Sequence, residues 1–349
     1  MPEITEAELK KQIEKSNFSR LYFLHGQEKY LLALYAKKLI AKAGGTAFPD
    51  FNLQRFGDTA SIDEIASAVE ALPFMAERKC VAVSDLNVEG LRAQESAKLE
   101  ELVKSIPDST VLVFFLPSIE IDYKTNKKWK KFITLANEVG VTVHIGRCST
   151  PELEKALCSA AAKRGCELSR QNAGRIIRSC GNSMQTLFNE LDKLCAYVQE
   201  GEITTQTIDR IVVKNLEARV YDLSKAIVSA DYDRAYKVLD LLFQQNEEPV
   251  SVLAVLSSAY VDMYRVRMSV QGGFGVTEPA KHFDYARKEF RLTNAERDAA
   301  RLTTSILRQS LQALLNADTA LKSARGDRRI VMEKLIAELL LIAEKERVG

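Results

Sequence analysis

The order of apolar and polar positions divides the chain into two regimes. Short apolar runs of strand length, Leu21 to His25, Leu53 to Phe56, Cys80 to Leu86, Val111 to Leu116 and Val141 to Ile145, alternate with helical patterns over 29–43, 61–72, 91–105 and 126–139. That alternation predicts a parallel sheet covered by helices. A first helix opens ahead of it on the capping box Thr5-Glu6-Ala7-Glu8. From Thr150 the pattern is helical. Thr150-Pro151-Glu152 supplies a cap, a proline at the first helical position and an acid in the first turn. From there to Lys214 the helical pattern breaks at Gly165, at Cys180-Gly181-Asn182 and at Gly201-Glu202. Beyond Leu216 the stripes Val220, Leu223, Ile227 and Val252, Val255, Leu256, Tyr260, Met263 predict further helices, with Thr293-Asn294-Ala295-Glu296 capping another. Leu307, Leu311, Leu314, Leu321 and then Ile330, Leu335, Ile336, Leu339 mark the last two. The expected organisation is an α/β domain over 1–147, a small helical domain over 148–215 and a larger helical domain over 216–349.

One stretch stands out between a helix and a strand. Ser61-Ile62-Asp63-Glu64 is a capping box, and Ile62, Ile65, Val69 and Leu72 keep helical spacing until Pro73 ends the helix. Phe74 and Met75 follow, then Glu77, Arg78 and Lys79. Two readings compete. Large apolar residues are ordinarily inside, which folds Phe74 and Met75 under the turn as core. The neighbouring charges instead suit an exposed, protein-binding tip.

Size and charge narrow the rest. At 349 residues the chain suits two or three domains, and 46% hydrophobic with 28% charged residues is ordinary for a globular protein. A net charge of +2 gives no overall field to draw in nucleic acid. The start, Met1 to Leu9, lacks the basic and apolar regions of a signal peptide, and no run is apolar and long enough for a bilayer, so a cytoplasmic protein is expected. Six cysteines, Cys80, Cys148, Cys158, Cys166, Cys180 and Cys195, form no C-x-x-C pair, and His25, His144 and His282 are scattered. Buried free thiols, with no metal and no cofactor, are the expectation.

Candidate chemistry is sparse. Strand, Gly26 and helix occupy the place of a phosphate loop, but that loop needs G-x-x-x-x-G-K-[ST], and Leu31, Leu32 and Ala33 stand where Gly, Lys and Ser/Thr are required. An acidic pair for magnesium is missing too, since the run ending Ser84-Asp85-Leu86 offers one carboxylate and Leu116-Pro117-Ser118 none. Gly272-Gly273-Phe274-Gly275 lies between helices and reads as a connector. Tyr123-Lys124-Thr125-Asn126-Lys127-Lys128-Trp129-Lys130-Lys131-Phe132 holds five lysines with interleaved aromatics. Lys124, Lys127, Lys128, Lys130 and Lys131 could neutralise phosphates while the rings stack on bases. A solvated helix face with Trp129 and Phe132 turned inward explains the pattern equally. No nucleophile with a base, and no catalytic pair of carboxylates, stands out.

Three motifs in order resemble a known family. They are Tyr22-Phe23-Leu24-His25-Gly26-Gln27-Glu28-Lys29-Tyr30-Leu31; Gly181-Asn182-Ser183-Met184 with Leu187, Asn189-Glu190-Leu191-Asp192-Lys193-Leu194 and Tyr197; and Ala317-Asp318-Thr319-Ala320-Leu321-Lys322 with Gly326-Asp327 and Glu333-Lys334-Leu335-Ile336. Together they resemble the delta subunits of the bacterial DNA polymerase III clamp loader, relatives of the AAA+ proteins. Ser183 departs from the Asp frequent in that family, and Gly146-Arg147-Cys148 departs from the Ser-Arg-Cys of neighbouring loader subunits, so Arg147 is read as structural. The zinc cysteines of the motor and delta-prime subunits are not found either. The resemblance implies an α/β plus all-α chain: an AAA+-like parallel-sheet domain lacking a P-loop, a small helical lid and a C-terminal helical collar. It implies a non-catalytic subunit of a DNA-directed DNA polymerase holoenzyme that binds and opens the sliding clamp (beta). Its further partners would be the motor and delta-prime subunits, and primed DNA through the assembled complex. The family's apolar pair before A-x-R falls on Phe74 and Met75, with Leu72 and Pro73 as supporting neighbours and Ala76 and Arg78 in register. A divergent ATPase and a DNA-binding accessory protein are the alternatives.

Overall fold

In the computed structural model, residues 3–45, 48–122, 125–285, 290–300, 302–323 and 327–344 are described. They fall into two compact units, residues 1–156 and 157–349. In chain order the first unit holds α1 (Glu6–Lys15), β1 (Leu21–Gly26), α2 (Lys29–Ala43), α3 (Pro49–Asn52), β2 (Leu53–Phe56), α4 (Ile62–Glu70), β3 (Lys79–Ser84), α5 (Ala93–Lys104), β4 (Thr110–Phe115), α6 (Lys127–Val139) and β5 (Val141–Ile145). The strands form one parallel sheet in the order β2-β3-β4-β1-β5. Side chains alternate along each strand, so one sheet face takes Phe23, Val81, Val83, Leu112 and Phe114 under α4, α5 and α6. The other takes Tyr22, Leu24, Cys80, Val113 and Val143 under α1 and α2. Burial on both faces is why these strands read as continuous apolar runs.

The strand expectations hold within a residue or two. The helix before the tip does not run as far as its apolar spacing predicts. It stops at Glu70, and Ala71 turns extended at ψ 143°. Two side chains from the sheet take its last carbonyls: the Lys79 ammonium donates to Ala68 O, and Thr110 Oγ1 donates to Val69 O at 3.1 Å. With those acceptors satisfied and Pro73 forcing extension on its predecessor, another turn has nothing to gain.

α7 (Thr150–Ala162) spans the division between the units. It starts one residue earlier than predicted: Ser149, not Thr150, forms the cap, its N–H and hydroxyl both bonding Glu152 at 2.7 Å. In the second unit the breaks at Gly165 and Gly201 are strand pairings. β6 (Cys166–Glu167) precedes α8 (Arg170–Cys180) and α9 (Met184–Val198), and β7 (Gly201–Glu202) then pairs with it in parallel. There follow α10 (Thr205–Ile211), α11 (Leu216–Val228), α12 (Tyr232–Gln244), α13 (Pro249–Gln271), α14 (Phe290–Ala299), α15 (Thr304–Ser323) and α16 (Arg328–Glu344). One core cluster from Val220 to Ile342 joins α11 to α16. The predicted cap at Thr293 is overturned, because α14 begins at Phe290 and runs through it. A polar knot ties α13 to α14: Asp262, 3% exposed, accepts from Arg291 Nε at 2.8 Å and from the Tyr285 hydroxyl at 2.5 Å. The motif pairs have structural partners: Asp318 with Lys322 at 2.6 Å, and Glu190 with Lys193 at 2.7 Å and the Val213 N–H at 3.3 Å.

Candidate functional site

The stretch after α4 is an exposed tip. Leu72 is 85% exposed, Met75 75% and Phe74 43%, while Pro73 is half-buried. Its base is fixed by Lys79, a buried lysine whose pKa is lowered by desolvation and whose ammonium rests on Ala68 O. Arg78 lies with its guanidinium 5.4 Å from the centre of the Phe18 ring. Met75 has φ 46°, a left-handed conformation that costs an L-residue roughly 1–2 kcal/mol and needs surrounding structure to hold it.

That structure comes from a segment to which no site residue was assigned from sequence. Phe48, at φ 50°, precedes the single turn α3, and Phe51 lies within it. The Phe74 ring sits between them, 5.4 Å from Phe48 in an edge-on arrangement and 4.9 Å from Phe51 in a tilted one. Phe48 is 48% and Phe51 62% exposed, so three rings, Leu72 and Met75 are all open to solvent. Asn52, the last residue of α3, turns its amide inward: Nδ2 donates to Phe74 O and Oδ1 accepts from Phe74 N, each at 2.8 Å. The pairing Leu53 with Cys80 sets β2 beside β3, which brings the residues before both strands together. The available sequence signal was Phe48-Pro49-Asp50-Phe51, two aromatics flanking a proline outside any apolar stripe.

The tip lies at the amino ends of β2 and β3. Ligands of open parallel sheets sit at the opposite, carboxyl ends, and there the chain bonds to itself. Gln27 N and Glu28 N donate to Ile145 O at 2.9 and 3.2 Å. The Lys29 ammonium donates to Leu116 O at 2.9 Å and to Ile119 O, and its pKa is lowered by desolvation. Asp85, the single strand-end carboxylate, accepts from Ser118 N and Ile119 N at 2.9 and 3.1 Å. Gly26, at φ 144°, brings its backbone so close to β5 that a Cβ would lie 2.1 Å from Ile145 O. His25 and His144, distant in sequence, stand opposite each other in β1 and β5 with ring centres 5.2 Å apart. Burial, then the charges of His144 and Lys29, lower the His25 pKa to about 3, so it is neutral. Among the described residues no group of three or more His, Cys, Asp or Glu side chains could hold a metal ion.

The lysine-rich stretch takes the solvated-helix form. Asn126 caps α6, and Trp129 and Phe132 are buried against Phe23 at 6.0 and 5.1 Å, so neither ring can stack on a base. Lys128 donates to the carbonyls of Glu89 and Leu91, and Lys131 pairs with Glu100. Lys127 and Lys130 are exposed, while Tyr123 and Lys124 lie outside the described residues. Arg147 is 3.9 Å from Glu120, both exposed. Among the described residues no helix is long and apolar enough to cross a membrane.

Comparison with known proteins agrees with this architecture. The family model for the DNA polymerase III delta subunit matches residues 22–143, and that for its C-terminal domain matches residues 217–339. The chain is 24% identical over 347 residues to the DNA polymerase III subunit delta of Bacillus subtilis, covering 96% of this chain and 97% of that one. It is 22% identical over 275 residues to a probable subunit delta of Aquifex aeolicus, covering 75% and 76%. The solved Bacillus subtilis DNA clamp loader delta protein shares the fold, with a TM-score of 0.60 at 22% identity over 96% of this chain and 99% of that chain. With both domain models of one subunit matched in order, on a parallel sheet followed by helices, the chain belongs to the DNA polymerase III delta subunit family.

Proposed function

We propose that this chain is the clamp-binding and ring-opening subunit of a clamp loader, acting in DNA replication beside motor and delta-prime subunits in the cytoplasm. The observation that carries the reading is the tip: Leu72, Phe74 and Met75 open to solvent, with the Phe74 ring set against Phe48 and Phe51. A contiguous exposed apolar patch of this kind marks a protein-binding surface. Burying each of its side chains in a clamp pocket contributes about 1.5–3 kcal/mol. If the tip fits a clamp whose subunit interface is open better than one that is closed, the differential affinity shifts the ring toward opening without covalent chemistry. Assigning ATP hydrolysis to other subunits is supported by the strand-end amides and Lys29, which the chain engages with its own carbonyls. We place a small helical lid over 148–215 and a collar over 216–349, primed DNA being met through the assembled complex. The test measures affinity of the purified chain for its cognate clamp together with thermal unfolding. The double variant Phe74→Ala, Met75→Ala is expected to abolish binding with the fold kept. Unchanged affinity would refute the reading. Opening is read by the separation of two fluorophores placed across one clamp interface, which increases when the chain binds.

A further inference from the structure

We propose that Asn52 is the positioning residue of the tip, its buried amide clasping the backbone of Phe74 so that the Phe74 ring and Met75 are presented outward. The inference rests on the reading that the tip binds the clamp. Asn52 is 1% exposed and immediately precedes the edge strand β2. Its two bonds to Phe74, 2.8 Å each, reach 22 positions along the chain. A carboxamide carries a donor and an acceptor side by side and so satisfies both backbone groups of one residue at once. Aspartate lacks the donor and leucine lacks both. The loop backbone is otherwise tied at its ends, Ala71 N to Ser67 O and Lys79 N to Ser109 O, and the clasp pins its middle.

Apolar side chains on an untied loop would collapse onto the Phe48 and Phe51 rings, and the left-handed turn at Met75 would relax. Only part of the population would then meet a partner in the right shape, and apparent affinity falls by that fraction. Asn52 therefore acts through Phe74 and touches no partner itself.

The experiment uses the full chain and its cognate clamp. Asn52→Ala is expected to weaken binding about tenfold, chiefly through slower association. In a Phe74→Ala background the same change is expected to have less than about a twofold effect, because groups acting through one another are non-additive. Amide exchange at Phe74 should accelerate in Asn52→Ala while that of β3 stays slow. Should Asn52→Ala expose the β3 amides as well, the near-isosteric Asn52→Leu, which lacks both donor and acceptor, carries the same measurements. Full additivity with Phe74→Ala, parental affinity, or unchanged exchange at Phe74 would each overturn the clasp. A parent chain that does not bind the clamp overturns the clamp reading instead, and exchange at Phe74 still decides the clasp.

Discussion

Stability and partner affinity should separate along the tip according to how much of each side chain the free chain already buries. Met75 is 75% exposed, so Met75→Ala should change stability by no more than about 0.5 kcal/mol, a shift in Tm below about 2 °C. Alanine keeps a Cβ, so the strain of φ 46° is common to both chains and cancels. On the clamp the missing side chain forfeits about 1.5–3 kcal/mol, a rise in Kd of roughly 10- to 150-fold. Phe74 differs, being 43% exposed and in contact with two rings. Phe74→Ala should lose about 0.5–1.5 kcal/mol for each ring pair in the free chain, lowering Tm by several degrees, and lose affinity as well. Titration of labelled clamp, paired with thermal unfolding of each variant, separates the two effects. A Met75→Ala chain that melts far below the parent, or that binds the clamp as the parent does, would refute the assignment of Met75 to the contact surface.

Three further outcomes follow from buried groups. His25 has a folded-state pKa of about 3 against an ordinary 6.5, so the unfolded chain gains a proton first: its contribution is complete above pH 6.5 and is lost as pH falls toward 3, at a limit of about 1.4 kcal/mol per pH unit. Urea unfolding across that range should show a shallower decline in His25→Gln than in the parent. Trp129→Ala, which empties a fully buried site, should cost about 3–5 kcal/mol of stability, read by chemical unfolding, rather than act through DNA affinity. Asp262→Ala should cost about 3 kcal/mol by stranding Arg291, with a matching loss of exchange protection in α13 and α14.

Where the pattern misled, a contact between distant segments was responsible. The spacing Ile62, Ile65, Val69, Leu72 assigns Leu72 to the buried face of α4, but Lys79 and Thr110, 11 and 41 positions along the chain from the carbonyls they bind, take the helix's last acceptors. The breaks at Gly165 and Gly201 look like punctuation between helices, whereas each leads into half of a two-residue ladder. A local window sees glycine and cannot see the partner strand. Thr293 has the residues of a cap, yet tertiary packing of α14 on α13 carries the helix through it.

Most of the elements, the parallel sheet, the lack of a phosphate-loop pattern and the family were legible from sequence, because apolar periodicity, capping chemistry and motif order are local or linear properties of a chain. Sequence also narrowed the site to Leu72, Pro73, Phe74 and Met75, through motif register rather than through pattern, which left core and tip both open. That these side chains face solvent, and that Phe48, Phe51 and Asn52 pack against Phe74, follows from contacts between segments distant in the chain. The physical reason is that exposure belongs to a residue's neighbours in space. Here those neighbours come from the start of an adjacent strand, and the pairing of β2 with β3 is what brings them under the tip.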